Sequence, residues 1–161
     1  MDTEARALLA IYLHDHMAVA LGGVELAQRL ADGESDEDLK GPVRRLAEDF
    51  EEDAEALRAT ARALGIAERA PVKEALAWVG EKLGRLKLNG HLVSRSPLSR
   101  VIELEGLQVC VQGKLALWRT LRELEVEPEL PCATLLARAE RQREQLEELH
   151  RVAVRRAFEA S

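Results

Sequence analysis

The sequence predicts an all-α protein, an antiparallel four-helix bundle with a short additional helix in the crossover between the second and third long helices. Three observations predict it. Ala, Leu, Glu and Arg dominate while aromatic residues make up 3% of the chain, so strong helix formers are abundant and strand formers scarce. Apolar residues return at separations of three and four along four long segments, the period of a helix buried on one side. Turn formers divide those segments at Gly33, between Pro71 and Pro97, and between Pro128 and Pro131. A chain of 161 residues is one domain's worth, so 1–161 is read as a single helical domain with 66–96 as its crossover element.

The first helix is expected over 4–31, with Leu8, Leu9, Tyr12, Val19, Leu26 and Leu30 on one broad face and Asp15 and His16 inside that stripe. After a turn at Asp32-Gly33-Glu34-Ser35, Ser35 followed by Asp38 is a variant capping box, and the second helix runs to Leu64 before stopping at Gly65. Its core face reads Leu46, Phe50, Asp53, Leu57 and Leu64. Asp53 therefore sits near the centre of an apolar stripe, and Thr60 extends the polar insertion. Pro71 opens a short amphipathic segment to Leu83 that carries Leu76, Trp78 and Val79, and Asn89-Gly90 favours a turn.

Ser96-Pro97 marks the start of the third long helix, an N-cap residue followed by proline in the first turn. This helix extends to Leu124 and is apolar round much of its circumference, as a central or oligomer-facing helix would be, with Trp118 on it. Glu105, Gln108 and Gln112 form a polar seam along it. The fourth helix covers 133–157, with Leu135, Ala139, Leu146 and Leu149 inward and Glu147 and His150 one turn apart at the edge.

Charge and composition exclude several function classes. A net charge of -6 and a calculated pI near 5.4 argue against nucleic-acid binding. No run of 18 apolar residues is free of charge, and the start Met1-Asp2-Thr3-Glu4 is acidic where a secretory signal is basic. A cytoplasmic location without integral membrane association is expected. Cys110 and Cys132 lack metal-site spacing and read as buried thiols. Acids crowd Asp32 to Glu55 and bases crowd Lys82 to Arg100, regions able to attract one another within a monomer or across a dimer. Docking of the basic stretch on an anionic surface is opposed by the charge of the whole chain. No nucleophile motif or phosphate-binding glycine loop is present.

Acids and histidines on the inward stripes of apolar helices point to one of two chemistries. Carboxylate oxygen and imidazole nitrogen are donors that iron and manganese accept, and a Glu-x-x-His pair aims two of them at one centre. Glu147-x-x-His150 is such a pair. Without a metal, the same buried groups must pair with one another, because an unpartnered buried polar group is costly. The candidate metal ligands are Asp15, His16, Asp53, Glu105, Glu147 and His150, with Gln108 finishing the hydrogen-bond network.

The order of two long helices, the second ending in Leu-Gly, then a shorter helical crossover and two further long helices resembles the ferritin-like superfamily. It is most similar to the small bacterial ferritin-like stress-protein family. The resemblance covers residues 5–155 and rests on segments such as Leu13-His14-Asp15-His16-Met17, Leu46-Ala47-Glu48-Asp49, Glu103-Leu104-Glu105 and Glu147-Glu148-Leu149-His150. It implies a first-helix ligand at Asp15 or His16, a second-helix ligand among Asp49, Glu52 and Asp53, a third-helix carboxylate at Glu105, and Glu147 with His150 in the fourth helix. The chain departs from that pattern in having no histidine in the second helix and Gln108 where a histidine or acid is wanted. The expected function is therefore that of a non-catalytic or degenerate ferritin-like bundle, without a cofactor, acting by homo-oligomerisation as a homodimer or by partner binding. The alternative is an iron- or manganese-binding oxidase or stress-protection protein with a carboxylate/histidine site inside the bundle.

Overall fold

A computed structural model describes residues 2–67 and 97–159. Within them the chain forms four helices and no strand: α1 (Thr3–Asp32), α2 (Glu37–Ala63), α3 (Pro97–Glu123) and α4 (Cys132–Phe158). The expected crossover helix, the Asn89-Gly90 turn and the bases from Lys82 to Arg95 lie outside the described residues.

Local chemistry accounts for the helix ends. Asp2 caps α1, its Oδ1 accepting the Ala5 N–H at 2.8 Å. Asp36 rather than Ser35 immediately precedes α2, and its carbonyl receives the Lys40 N–H at 2.9 Å. At the other end of α2, Gly65 adopts φ 66° while the Ile66 N–H reaches Ala61 O and the Gly65 N–H reaches Arg62 O, both at 2.9 Å. This is the Schellman arrangement expected of a left-handed C-terminal residue. The end of α3 repeats it with Glu125 at φ 55°, the Val126 N–H on Leu121 O at 2.9 Å and the Glu125 N–H on Arg122 O at 3.1 Å.

Side-chain contacts give the helix order. Along α1 and α2, Arg6 meets Leu64, whereas Gly23 packs on Phe50 and Gln28 bonds Glu51, so the start of α1 lies against the end of α2 and the later half of α1 lies against the middle of α2. The same reversal relates α1 to α3, where Tyr12 meets Thr120, Gly23 packs on Cys110 and Leu26 lies against Gly106. It also relates α3 to α4, where Arg119 meets Glu140 and Gln108 reaches Leu146. Glycines make the α1–α3 approach close. A Cβ on Gly106 would stand 2.8 Å from Leu26 Cδ2 and one on Gly23 would stand 3.4 Å from Cys110 Cβ, while the latter would also meet the Phe50 ring of α2 at 3.0 Å.

Among the described residues two apolar clusters fill the interior. One is built round Leu46, Phe50, Leu107, Val111 and Leu146, the other round Leu13, Leu57, Trp118, Leu121 and Leu135. Trp118, expected on an apolar face of the third helix available for dimerisation, is 1% exposed and belongs to the monomer's own core. Helix α1 is long and apolar enough, by length and composition alone, to cross a membrane, although Asp15 interrupts it. Its large side chains divide between the interior (Leu9, Leu13, Leu26, Leu30) and the surface (Leu8, Ile11, Val19).

Candidate functional site

The polar centre of the bundle is built on three apolar stripes, one each from α2, α3 and α4. Asp53 follows Leu46 and Phe50 and precedes Leu57, Lys114 follows Leu107 and Val111 and precedes Trp118, and Gln142 lies between Ala139 and Leu146. Helical spacing of three and four carries each into the interior, where they are 3%, 7% and 1% exposed.

They close on one another. Lys114 Nζ donates to Asp53 Oδ2 at 2.7 Å and to Gln142 Oε1 at 2.9 Å, while Gln142 Nε2 donates to the same Asp53 Oδ2 at 2.8 Å. The ammonium also lies 3.3 Å from the centroid of the Phe50 ring, whose negative face attracts it. Its three N–H groups thus have an acid, an amide and a π-face to address. Arg138 completes the cluster from its rim, donating to Asp53 Oδ1 at 3.2 Å and bridging Glu52 at 2.9 Å.

Burial sets the electrostatics. Desolvation pulls the Lys114 ammonium below its ordinary value, opposed by the charge and hydrogen bond of Asp53. Asp49, at the edge of the cluster, is raised, first by desolvation and then by Asp53 and Glu52, with Arg138 and Lys114 opposing. The Cys110 thiol is raised by burial despite Lys114 nearby. Both cysteines are free thiols; Cys132 is buried and Cys110 half-buried.

Of the six expected ligands, Asp53 lies in this cluster, with cationic and amide partners. Glu105 and His150 meet each other, Oε1 to Nε2 at 3.3 Å, but toward the surface, with 54% of the Glu105 side chain exposed. Glu147 is exposed and 3.8 Å from Arg143. Asp15 points to solvent, and half-buried His16 stacks edge-on against Tyr12, ring centroids 4.4 Å apart. These six candidate ligands therefore do not meet in one cluster; the inward stripe of α3 runs through Leu104, Leu107 and Val111 and turns Glu105 outward. Among the described residues no group of three or more His, Cys, Asp or Glu side chains is placed to hold a metal ion. Gln108 donates to the Leu146 carbonyl at 3.5 Å, and the Tyr12 hydroxyl donates to Thr120 at 3.1 Å. Thr60 satisfies itself on the Ala56 carbonyl at 2.7 Å.

Lys114, Gln142 and Arg138 were not among the residues singled out from sequence, although the signal for the first two was the one that marked Asp53. Each interrupts an apolar stripe at helical spacing. Attention to acids and histidines alone passes over a lysine or glutamine that arrives in the core to meet them. A buried acid on one helix should prompt a search for an inward base on another. The expected attraction of the acidic and basic regions is met at Arg100, which bridges buried Glu34 at 2.6 Å within the monomer.

Searches against protein families, curated proteins and solved structures find no match to this chain.

Proposed function

We propose that this chain is a metal-free, non-catalytic bundle of the ferritin-like kind that acts by self-association as a homodimer. Helix direction supports the ferritin-like part. The contacts support a reading in which α1 runs antiparallel to α2 and α3 antiparallel to α4, while α2 and α3 point the same way. Helix α2 thus ends at one pole, where Leu64 meets Arg6, and α3 begins at the other, where Arg100 meets Glu34. Two antiparallel pairs joined in this manner need one long crossover, the connectivity of ferritin-like bundles.

The observation that carries the metal-free part is the occupancy of Asp53. Lys114 and Gln142 address one carboxylate oxygen and Arg138 the other, so cations supplied by the chain itself neutralise the central acid. Self-association is supported by the α1–α3 side of the bundle, where Leu8, Ile11, Val19 and Val109 are 62%, 54%, 42% and 64% exposed. Val109 stands one turn before Gly113, which faces Val19, so the exposed groups of the two helices adjoin.

Sedimentation equilibrium across the micromolar range tests the assembly: a dimer is expected, and Ile11→Glu with Val109→Glu should yield a folded monomer. A wild-type monomer at high micromolar concentration overturns it. Elemental analysis after expression with added iron and manganese tests the other half, and one or two ions per chain, lost on Glu105→Ala or His150→Ala, overturns the metal-free reading. That second reading, an iron- or manganese-binding protein, has one observation in its favour, the carboxylate–imidazole pair of Glu105 and His150.

A further inference from the structure

The four sides of the bundle are not alike. On the α1–α3 side the two backbones repeatedly come within 8 Å of each other, and a Cβ added at Gly106 would stand 2.8 Å from Leu26 Cδ2. On the α2–α4 side, the backbones of the described residues hardly come within 8 Å of each other. Polar side chains reach across that side, beside the apolar core to which both helices contribute. Besides Gln142 and Arg138 on Asp53, Gln145 Nε2 donates to the Pro42 carbonyl at 3.0 Å, and Arg156 bridges Asp36 at 2.5 Å.

These two kinds of contact respond differently to separation. A polar group exposed by opening exchanges its protein partner for water and loses little, whereas close-packed carbon has no substitute partner. From this asymmetry we infer that the α2–α4 seam is the line along which the bundle opens, with the glycine-packed α1–α3 seam as the hinge. The α1–α2 and α3–α4 pairs move as units, and the opening uncovers Asp53 and the apolar residues beside it.

Thiol labelling under native conditions, in a Cys110→Ala and Cys132→Ala background, reads the two seams separately. Ala139→Cys lies one turn from Gln142 on the proposed opening seam, and Ala27→Cys lies one turn from Gly23 by the hinge; both positions are 1% exposed. The first is expected to label at least tenfold faster than the second, and Gln145→Ala should speed the first alone. Equal rates that match global unfolding, or faster labelling at Ala27→Cys, overturn the inference. Since a cysteine in the core can itself disturb packing, spin labels at exposed positions 48 and 141 supply an independent measurement. A second, longer distance should appear in mild denaturant while helicity persists, and one unchanging distance up to global unfolding overturns the inference as well.

Discussion

Lys114 Nζ and Asp53 Oδ2 lie 2.7 Å apart on helices that face each other across the bundle, both side chains nearly sealed from solvent. A charge pair in that position holds the interior together less by its own attraction than by the cost of breaking it unevenly. Removing one partner leaves the other charged and dry, while removing all members together lets carbon fill the space.

Lys114→Met should therefore destabilise the protein by about 3–5 kcal/mol, the usual result of stranding a buried charge. Combining it with Asp53→Leu and Gln142→Leu should recover most of that loss. Urea denaturation of the single and triple variants decides the matter; a triple variant as unstable as Lys114→Met would show that the cluster stabilises in its own right.

The twin Schellman ends make a second pair. Glu125 bears a side chain in a left-handed conformation that costs about 1–2 kcal/mol for any residue but glycine. Glu125→Gly should raise stability by about 1 kcal/mol after glycine's greater freedom in the unfolded chain is subtracted. Gly65→Ala should lower it by about as much, since it creates the strain that Glu125 already bears. Shifts in thermal midpoint of opposite sign are the expected readout.

Glycine substitutions on α1 and α3 should also split by position. Alanine is the better helix former by about 1 kcal/mol, and among the described residues a Cβ at Gly113 meets only Val19, at an ordinary 3.9 Å. Gly113→Ala should therefore stabilise. At Gly23 the new carbon stands 3.0 Å from a Phe50 ring pinned under the Lys114 ammonium. Overpacking of about 1–3 kcal/mol then outweighs propensity, so Gly23→Ala should destabilise. Equal midpoints for the two variants would contradict this account of the two glycines.

His16 gives stability a dependence on pH. Burial holds its imidazole below the ordinary 6.5, against the opposing pull of Asp15, so the unfolded chain takes up a proton before the folded one does. This contribution is fully present above 6.5 and is lost as pH falls from there through the lower folded-state value. His16→Gln should flatten that decline, seen as a smaller difference between urea midpoints at about pH 7.5 and about pH 5.5 than in the wild type. An unchanged difference would remove His16 from the account.

The long helices and the ends marked by Gly65 and Pro97 were legible in the sequence because prolines and left-handed glycines act locally, whereas the Asp2 cap and the left-handed Glu125 carried no such mark. Asp53 was legible too, as one acid in a clean stripe. Asp15 and Glu105 were misplaced for a common reason. Helices α1 and α3 are apolar around so much of their circumference that periodicity leaves the inward direction ambiguous by a residue or two, enough to turn a side chain out to solvent. On α3 it is Glu103 that is buried, with Arg29 3.6 Å away, and Glu105 that faces out. Lys114 was hidden by expectation: its identity as a base gave no hint of burial until its acid across the bundle was known.

Glu34 closes the turn after α1, accepts the Asp36 N–H at 2.9 Å, and is bridged by Arg100 from the first turns of α3. Two helical hairpins with greasy inner faces can in principle dock in either of two orientations, and apolar contact distinguishes poorly between them. A carboxylate sunk at one pole, whose guanidinium arrives only when the second hairpin is the right way up, makes the two orientations unequal in energy. In the inverted dock Glu34 would stay buried without its cation, so this one pair acts as a polarity mark that selects a single assembly of the halves.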